Sequence, residues 1–404
     1  MEWIKEIPGA SIPVKSWCKD VDELAMKQVA NLAAHPVLFK HVALMPDCHA
    51  GLGIPIGGVI AARDAVIPSA VGVDIGCGMI ATETDIPAER FADMQFRRSF
   101  QEALKKRIPV GEGVSHKTQQ PWEGFERYLD TNGSVCDFPN NLDRKNLGTL
   151  GGGNHFIELQ VSESGFIWMM IHSGSRNLGQ RIERFYQQKA MNLNEMFHSR
   201  LPNPHLAFLP MGTEEGQAYF RDMNFALEYA QENRSRMMTV FRETLSEFAP
   251  EARFVREVNI HHNYAALETH FGQSVYVHRK GATSARDGEI GIIPGSMGSS
   301  SYIVRGLGNA ESFTSCSHGA GRRLSRTKAC MELKAEDCDA ALEGIVYERW
   351  KKFKGGFGHK QKHPGLLDLS EAPQAYKEIE EVIAAEADLV EPLVRLRPIA
   401  VLKG

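Results

Sequence analysis

The alternation of hydrophobic and polar positions predicts strands and helices that follow one another without an internal repeat. Short apolar runs predict buried strands at residues 71–75 and 167–171, and an alternating run predicts a half-buried strand at residues 79–84. Further strands are expected at residues 274–278 and 301–304. The strand at 167–171 leads directly into His172, so we expect its end to present that histidine.

Helical spacing of apolar residues predicts one helix from residue 85 to about residue 106 and a long amphipathic helix over residues 214–248. A last helix is predicted over residues 373–389. Residues 110–145 are polar and rich in Gly, Pro and Asn, which is typical of a surface excursion, and residues 354–364 form a basic stretch that predicts a flexible loop. The predicted core stripe of the long helix consists of Phe220, Met223, Leu227, Met237, Phe241 and Leu245.

Composition narrows the class of protein. The chain has 404 residues, of which 43% are hydrophobic and 24% are charged, as in ordinary globular proteins. Its formal net charge of −4 offers no global basic field, so a nucleic acid would have to be held by a local basic groove. No apolar leader or apolar stretch of membrane-spanning length is present, and the seven cysteines form no CxxC pair. We therefore expect a cytoplasmic protein with reduced thiols and no membrane partner.

The most informative chemistry lies at Asp74 and Cys77, which are three residues apart on a glycine-flanked turn. Downstream, His155, His172 and His262 each follow or precede glycine, serine or asparagine. Oxygen, sulfur and imidazole donors together suit a borderline transition metal such as Mn²⁺ or Zn²⁺. This mixture of donors predicts metal-assisted chemistry.

Each of these residues also has a purely structural interpretation. Asp74 and Cys77 could cap a turn and fill a core, and His155 could be a hydrogen-bonded core histidine. His261 and His262 cannot both face one way in an extended chain, so we expect one to be a ligand and the other to be structural. Because several such contexts occur in one chain, metal binding is favoured over coincidence.

Short segments in order along nearly the whole chain resemble the RtcB family of GTP- and Mn²⁺-dependent RNA ligases. They lie at residues 45–49 (Met-Pro-Asp-Cys-His), 71–78 (Val-Gly-Val-Asp-Ile-Gly-Cys-Gly), 148–156 (Gly-Thr-Leu-Gly-Gly-Gly-Asn-His-Phe), 172–176 (His-Ser-Gly-Ser-Arg), 261–264 (His-His-Asn-Tyr), 279–282 (Arg-Lys-Gly-Ala), 294–298 (Pro-Gly-Ser-Met-Gly), 317–322 (Ser-His-Gly-Ala-Gly-Arg) and 401–404 (Val-Leu-Lys-Gly). The resemblance implies an α+β fold, a single catalytic domain over residues 1–404 with layered mixed β-sheets flanked by helices. The absence of a Pro/Ser-rich linker agrees with a single domain.

The resemblance also implies a reaction. A 3′-phosphate or 2′,3′-cyclic phosphate end of RNA would be joined to a 5′-hydroxyl end, in tRNA splicing or RNA repair. His318 would be the nucleophile that becomes guanylylated, and GMP would then pass to the RNA to give an activated RNA-3′-pp-G end. An archease-type activator is a further expected partner.

The same resemblance implies the roles of the remaining site residues. Asp74, Cys77 and His155 would hold one Mn²⁺, while Cys77, His172 and His262 would hold a second, with Cys77 bridging the two ions. GTP would be bound by Asn154 and Asn263 at its phosphates and by Glu158, Ser296, Tyr376 and Lys403 at its guanine and ribose. The basic side chains expected to contact phosphates are Arg176, Lys280, Arg322 and Arg326. Where many family members have Gly-Lys-Gly after the 45–49 segment, this chain has Leu52 between its glycines, and the cation is lost.

Two other classes of function are compatible with the donor set alone. A binuclear metallo-phosphoesterase could use the same residues to activate water, without a nucleotide. A non-catalytic module that binds RNA ends is the second alternative. The esterase gives no role to the loop around His318 or to Lys403, and the non-catalytic module fits poorly with an intact set of ligands. Labelling of the protein by α-labelled GTP would discriminate between ligase and esterase.

Overall fold

The computed structural model describes residues 2–4, 7–132, 137–353 and 366–404. The strands are β1 Glu2–Ile4, β2 Val14–Ser16, β3 Leu38–His49, β4 Ile56–Ala62, β5 Ala65–Val66, β6 Gly78–Pro87, β7 Phe156–Ser162, β8 Phe166–Ser173, β9 Leu209–Pro210, β10 Phe254–His261, β11 Asn263–His270, β12 Gln273–Lys280, β13 Ala282–Ser284, β14 Ile290–Ile293, β15 Ser301–Gly306, β16 Ser315–Ser317 and β17 Val390–Lys403. The helices are α1 Glu23–Ala33, α2 Pro68–Val71, α3 Met94–Arg107, α4 Glu123–Asn132, α5 Asn141–Asn146, α6 Leu178–Met196, α7 Glu214–Phe248, α8 Arg326–Glu332, α9 Ala335–Ala340 and α10 Ile379–Ala385, with short 3₁₀ turns at Ala88–Phe91, Pro204–Leu206, Ala310–Ser312 and Pro373–Ala375.

Two large sheets organise these elements. One sheet has the strand order β1-β2-β3-β4-β12-β11 and the other has the order β10-β6-β8-β7-β17-β15-β14. A core between them joins Val59 and Val277 of the first sheet to Ile293 and Val304 of the second. Helices α3 and α7 cover the other face of the seven-stranded sheet. The prediction of a mixed fold with layered sheets flanked by helices is confirmed.

The long helix α7 has the predicted bounds. Thr213 caps its N-terminus by accepting a hydrogen bond from the Gly216 amide. In the predicted stripe, Met223, Met237, Phe241 and Leu245 are fully buried, while Phe220 and Leu227 are half-buried. The strands expected at residues 79–84, 167–171, 274–278 and 301–304 lie within β6, β8, β12 and β15. No helix among the described residues is long and apolar enough to cross a membrane.

The prediction of a strand at residues 71–75 is wrong. Residues 68–71 form the single-turn helix α2, which has Pro68 at its first position, and Gly72 then turns the chain at φ +93°. Residues 72–77 form a turn-rich loop. A short buried apolar run does not distinguish a strand from a buried turn.

Two predicted helices have different bounds. At the first, β6 continues through Pro87, and α3 begins only at Met94, where Asp93 accepts a hydrogen bond from the Phe96 amide. The helix predicted over residues 373–389 is reduced to α10, and the chain then enters β17.

The described part of residues 110–145 is not simply the predicted surface excursion. They contain α4 and α5, and Phe125, Tyr128 and Phe138 are buried against α7 and α6. The loop predicted at residues 354–364 lies outside the described residues.

The long strand β17 was not predicted, because it contains two prolines, which argue against a strand in the interior of a sheet. The register shifts where β17 pairs with β15 and β7, between Ile303 and Val304 and between Pro398 and Ala400. These irregularities accommodate residues that cannot donate to the ladder.

Candidate active site

Four neighbouring strands bring the predicted metal ligands to one edge of the seven-stranded sheet. The order β10-β6-β8-β7 places the end of β10, the start of β6, the end of β8 and the start of β7 side by side. His262 directly follows β10, Cys77 directly precedes β6, His172 lies near the end of β8, and His155 directly precedes β7. The antiparallel register therefore assembles residues that are far apart in sequence.

The ligand atoms converge around the Cys77 thiol. Its Sγ lies 3.3 Å from His172 Nε2 and 3.5 Å from His155 Nε2. The Asp74 carboxylate lies 3.2 Å from His155 Nε2, and the Nε2 atoms of His172 and His262 are 3.4 Å apart. One sulfur, one carboxylate and three imidazoles thus meet in a buried cluster.

The hydrogen bonds made by the Nδ1 atoms of two of these imidazoles indicate that the cluster is suited to a cation. His155 Nδ1 is 3.0 Å from the Leu150 carbonyl, and His172 Nδ1 is 3.2 Å from the Asn154 carbonyl. Because a carbonyl only accepts, each Nδ1 carries the hydrogen, and the lone pair of each Nε2 faces Cys77. A positive ion between these lone pairs and the thiol would remove their mutual repulsion, and the oxygen, nitrogen and sulfur donors suit Mn²⁺ or Zn²⁺.

The electrostatics of the cluster favour neutral imidazoles. Burial and the neighbouring histidines hold the pKa values of His172 and His262 well below the ordinary histidine value. Burial and the adjacent Asp74 carboxylate raise the pKa of the Cys77 thiol well above its ordinary value. Neutral imidazole is the form that ligates metals, and a bound cation would supply the charge that a Cys77 thiolate needs.

The expectation that only one of the paired histidines faces the ligands agrees with the structure. His262 faces His172, whereas His261 Nδ1 accepts a hydrogen bond of 3.1 Å from the Arg234 guanidinium. Arg234 is fully buried in α7 and also donates to the carbonyls of Gly76 and Ser173. Its guanidinium therefore ties together the loops that carry Cys77, His172 and His262. The sequence analysis did not identify Arg234, since an arginine within a helix is ordinarily solvated.

His318 lies beside this cluster, with its ring centroid 5.0 Å from that of His262. Its Nδ1 lies 2.5 Å from the Asp47 Oδ2, and its backbone amide donates to the same oxygen at 3.1 Å. Since an ionised carboxylate only accepts, Nδ1 carries the hydrogen and Nε2 keeps its lone pair. Asp47 belongs to the 45–49 segment, but its role became visible only in the folded chain.

A cavity of about 600 Å³ opens beside His318. The predicted residues that line it are Asn154, His172, Ser296, His318, Tyr376 and Lys403. Its volume lies within the range of small-molecule sites. The structure therefore brings the predicted nucleophile, one predicted metal ligand and four predicted nucleotide contacts to a single cavity.

Glu371 is the most prominent cavity residue that the sequence analysis missed. Its carboxylate accepts hydrogen bonds from Lys403 at 3.0 Å and from the Tyr376 hydroxyl at 2.5 Å, and it pairs with Arg322 at 3.3 Å. Arg326 lies 3.4 Å from the same carboxylate. Burial alone would raise the pKa of Glu371, but these cations and the hydroxyl lower it to about 2. Glu371 lies outside every segment that carried the resemblance, so no sequence signal pointed to it.

Glu158 and Asn263 are not among the residues that line the cavity. Glu158 is buried two residues beyond Phe156 on the same face of β7, and it accepts a hydrogen bond of 2.6 Å from Gln160. Burial raises its pKa to about 7 against the charge of Lys403 and this hydrogen bond. The Asn263 side chain links two loops, since it donates to the Asp74 carbonyl at 3.0 Å and accepts from the Gly281 amide at 2.8 Å.

The predicted phosphate contacts separate into two groups. Arg322 and Arg326 line the cavity. Lys280 is buried and donates to the carbonyls of Ser69 and Leu52, and Arg176 Nε donates to the Thr149 hydroxyl. The Leu52 side chain, which replaces the usual lysine, is exposed.

A cluster of side chains that could ligate a metal, beside an oriented histidine at one cavity, is the candidate active site of this mixed α/β protein. Residues 28–404 match the family described as tRNA-splicing ligase RtcB. The chain belongs to this family of RNA ligases.

The chain is similar to individual relatives over most of their length. The chain is 40% identical to RNA-splicing ligase RtcB1 of Escherichia coli strain ATCC 25922 over 420 residues, which cover 97% of each chain. It is 30% identical to tRNA-splicing ligase RtcB of Methanococcus maripaludis over 469 residues, which cover 98% of this chain and 95% of the relative. RNA-splicing ligase RtcB homolog 1 of Entamoeba histolytica is 31% identical over 482 residues, with coverage of 100% of this chain and 86% of the relative.

Proposed function

We propose that the protein is a GTP- and Mn²⁺-dependent RNA ligase, with residues 1–404 acting as one catalytic domain in the cytoplasm. It would join a 3′-phosphate or 2′,3′-cyclic phosphate end of RNA to a 5′-hydroxyl end. The observation that carries this proposal is the placement of His318, whose Nδ1 is held by Asp47 while the ring lies between the donor cluster and the cavity. A histidine held in this way is prepared for nucleophilic attack from Nε2.

In the first step, the lone pair of His318 Nε2 attacks the α-phosphorus of GTP. A P–N bond forms, the bond from the α-phosphorus to the bridging oxygen breaks, and pyrophosphate leaves. Positive charge develops on the ring, and the Asp47 carboxylate stabilises it through the hydrogen bond to Nδ1. Two Mn²⁺ ions held by Asp74, Cys77, His155, His172 and His262 would neutralise charge on the phosphate oxygens.

In the second step, an oxygen of the RNA 3′-phosphate attacks the phosphorus of the histidine-bound GMP. The P–N bond breaks, which frees His318 and gives RNA-3′-pp-G. The 5′-hydroxyl oxygen then attacks the 3′-phosphate, a new P–O bond forms, the hydroxyl proton passes to water, and GMP leaves. A cyclic phosphate needs prior hydrolysis by water to the 3′-phosphate. The cavity cations Arg322 and Arg326 are suited to holding the phosphate groups.

Guanine specificity is assigned to Glu158, with Ser296, Tyr376 and Lys403 completing the pocket and Asn154 and Asn263 near the phosphates. A carboxylate can accept hydrogen bonds from both N1–H and N2–H of guanine, and adenine offers no such pair. Burial of Glu158 supports discrimination, because an unmatched buried carboxylate costs binding energy. RNA ends and an archease-type activator are the proposed partners.

Labelling with α-³²P-GTP and Mn²⁺ tests the proposal. The wild-type protein should acquire acid-labile label, whereas His318→Ala should acquire none and should retain its Mn²⁺ content, because no ligand is removed. ATP should label the wild-type protein far less than GTP. Label in His318→Ala would overturn the nucleophile assignment. Phosphate release from RNA ends without any labelled protein would instead establish a metallo-phosphoesterase.

A further inference from the structure

A second buried carboxyl group lies behind the Asp47–His318 pair. Glu386, at the end of α10, is fully buried, and its Oε2 accepts a hydrogen bond of 2.9 Å from the backbone amide of Ser317, the residue before His318. Its other oxygen, Oε1, is buried without a hydrogen-bond partner among the described residues, and the same is true of Asp47 Oδ1. The strand end that presents His318 is therefore held by two carboxyl groups, one on each of two successive amides.

The two carboxyl groups cannot both be charged at low cost. Each is fully buried, and their charges oppose one another. Asp47 accepts two hydrogen bonds from His318, whereas Glu386 accepts one from the Ser317 amide, and the carboxyl group with fewer donors is the one more easily kept neutral. The proton of the pair therefore belongs to Glu386.

The surroundings support this assignment. Burial and the charges of Asp47 and Asp388 raise the pKa of Glu386 to about 8 against the opposing hydrogen bond from Ser317. The titratable and charged groups around the pair include Asp388, Cys316, His318, His49, Cys48, Cys18 and Lys377. Lys377 donates to the carbonyls of Pro46 and Cys48 on either side of Asp47.

We propose that Glu386 is a positioning residue for guanylylation: as a neutral carboxylic acid it holds the Ser317 amide and leaves the negative charge of the buried pair on Asp47, which orients His318. This inference rests on the proposed function. Ionisation of Glu386 places a second buried negative charge behind Asp47, which weakens the orientation of the ring and repels the triphosphate. Glu386 touches neither GTP nor RNA and acts through its neighbours.

Single-turnover guanylylation across pH 6 to 10 tests this role. The wild-type rate should fall above pH ~8 with a limiting slope of about tenfold per pH unit, as one ionisation requires. Glu386→Gln keeps an acceptor for Ser317 but cannot ionise, so its rate should stay within about threefold of the wild-type rate at pH 7 and should lack the alkaline decline. Glu386→Ala removes both the acceptor and the ionisation, so its rate should lie about tenfold below that of Glu386→Gln at every pH, equivalent to one buried hydrogen bond.

Glu381→Gln is the matched control, because it removes a carboxylate from an exposed position of the same helix. It should reproduce the wild-type profile, including any decline that arises from Mn²⁺ hydrolysis. A wild-type profile without an alkaline decline, a decline in Glu386→Gln as steep as that of Glu381→Gln, or full activity in Glu386→Ala would each overturn the inference. Failure of the wild-type protein to accept label at any pH would remove the proposed function itself.

Protein stability gives a readout that does not depend on activity. A carboxyl group whose pKa is raised on folding stabilises the protein fully below its unfolded pKa, and this contribution is lost as pH rises through the folded pKa. Glu386→Gln should therefore gain thermal stability relative to the wild type as pH rises from about 4.5 to about 8. An equal pH dependence of both proteins would contradict a protonated Glu386.

Discussion

The Asp47 carboxylate accepts two hydrogen bonds from His318, one from the ring and one from the backbone amide. These bonds fix both the rotation of the ring and the nitrogen that carries its hydrogen. Gly57 and Gly321 surround Asp47 closely, since a Cβ at Gly321 would lie 2.3 Å from the Asp47 carbonyl oxygen. The position of the carboxylate is therefore set by packing, and its chemistry at this site depends on its charge.

Asp47→Asn should lower the rate of guanylylation by about 10²- to 10⁴-fold. An amide at this position can donate to Nδ1 and leave the hydrogen on Nε2, so that the attacking nitrogen has no lone pair. The same change of tautomer inactivates a Ser-His-Asp triad when its aspartate is replaced by asparagine. Mn²⁺ content should not change, because Asp47 is not among the proposed ligands. Labelling kinetics and elemental analysis measure the two effects. A variant that labels at the wild-type rate would show that the hydrogen bond does not orient the nucleophile.

At the scale of elements, the donor cluster depends on how closely β8 approaches the loop before β6. Gly174 directly follows β8, and a Cβ at this position would lie 2.4 Å from the Asp74 Oδ1. Gly76 turns the loop at φ +77°, and its amide donates to the Asn263 carbonyl. Small residues at these two positions allow a carboxylate and a thiol to reach imidazoles from other strands.

Gly174→Ala should therefore weaken Mn²⁺ binding without removing a ligand. The added methyl group displaces the Asp74 carboxylate, and we expect a loss in affinity of about 10- to 100-fold, as for changes to groups that orient metal ligands. Titration of the protein with Mn²⁺ measures this loss in affinity. Gly212→Ala is the control, since a Cβ there meets nothing within 4 Å. Equal affinities of the two variants would contradict the steric argument.

At the scale of the whole molecule, a bound ion would join several elements at once. The proposed ligands come from the loop before β6, from the starts or ends of β7 and β8, and from the connection between β10 and β11. Because the unfolded chain does not hold these groups together, metal binding stabilises the folded state.

Mn²⁺ at a free concentration about 100 times its dissociation constant should stabilise the wild-type protein by about 2.7 kcal/mol. Calorimetry with and without a chelator measures this shift. Cys77→Ala removes the proposed bridging ligand and should show little stabilisation by Mn²⁺. An equal shift in Cys77→Ala would exclude the bridging role of the thiol.

The sequence by itself determined much of this protein. The period of apolar residues fixed the bounds of α7 and located several central strands, because one-sided burial leaves a regular pattern. The grouping of Asp74, Cys77 and the histidines in glycine-rich contexts indicated the donor chemistry, and the short segments in order indicated the family, which the comparisons confirmed.

Tertiary structure alone decided the rest. Residues 71–75 could not be distinguished from a strand, since burial and not local preference made them apolar. The strand β17 could not be predicted, because the bulges that accommodate its prolines exist only in the paired sheet. Glu371, Arg234 and Glu386 carry no sequence signal, because an acid or a guanidinium reveals its role only through the partners that fold around it. The local sequence indicates which residues of each segment are buried, whereas contacts between side chains that are distant in sequence depend on the register of the paired strands.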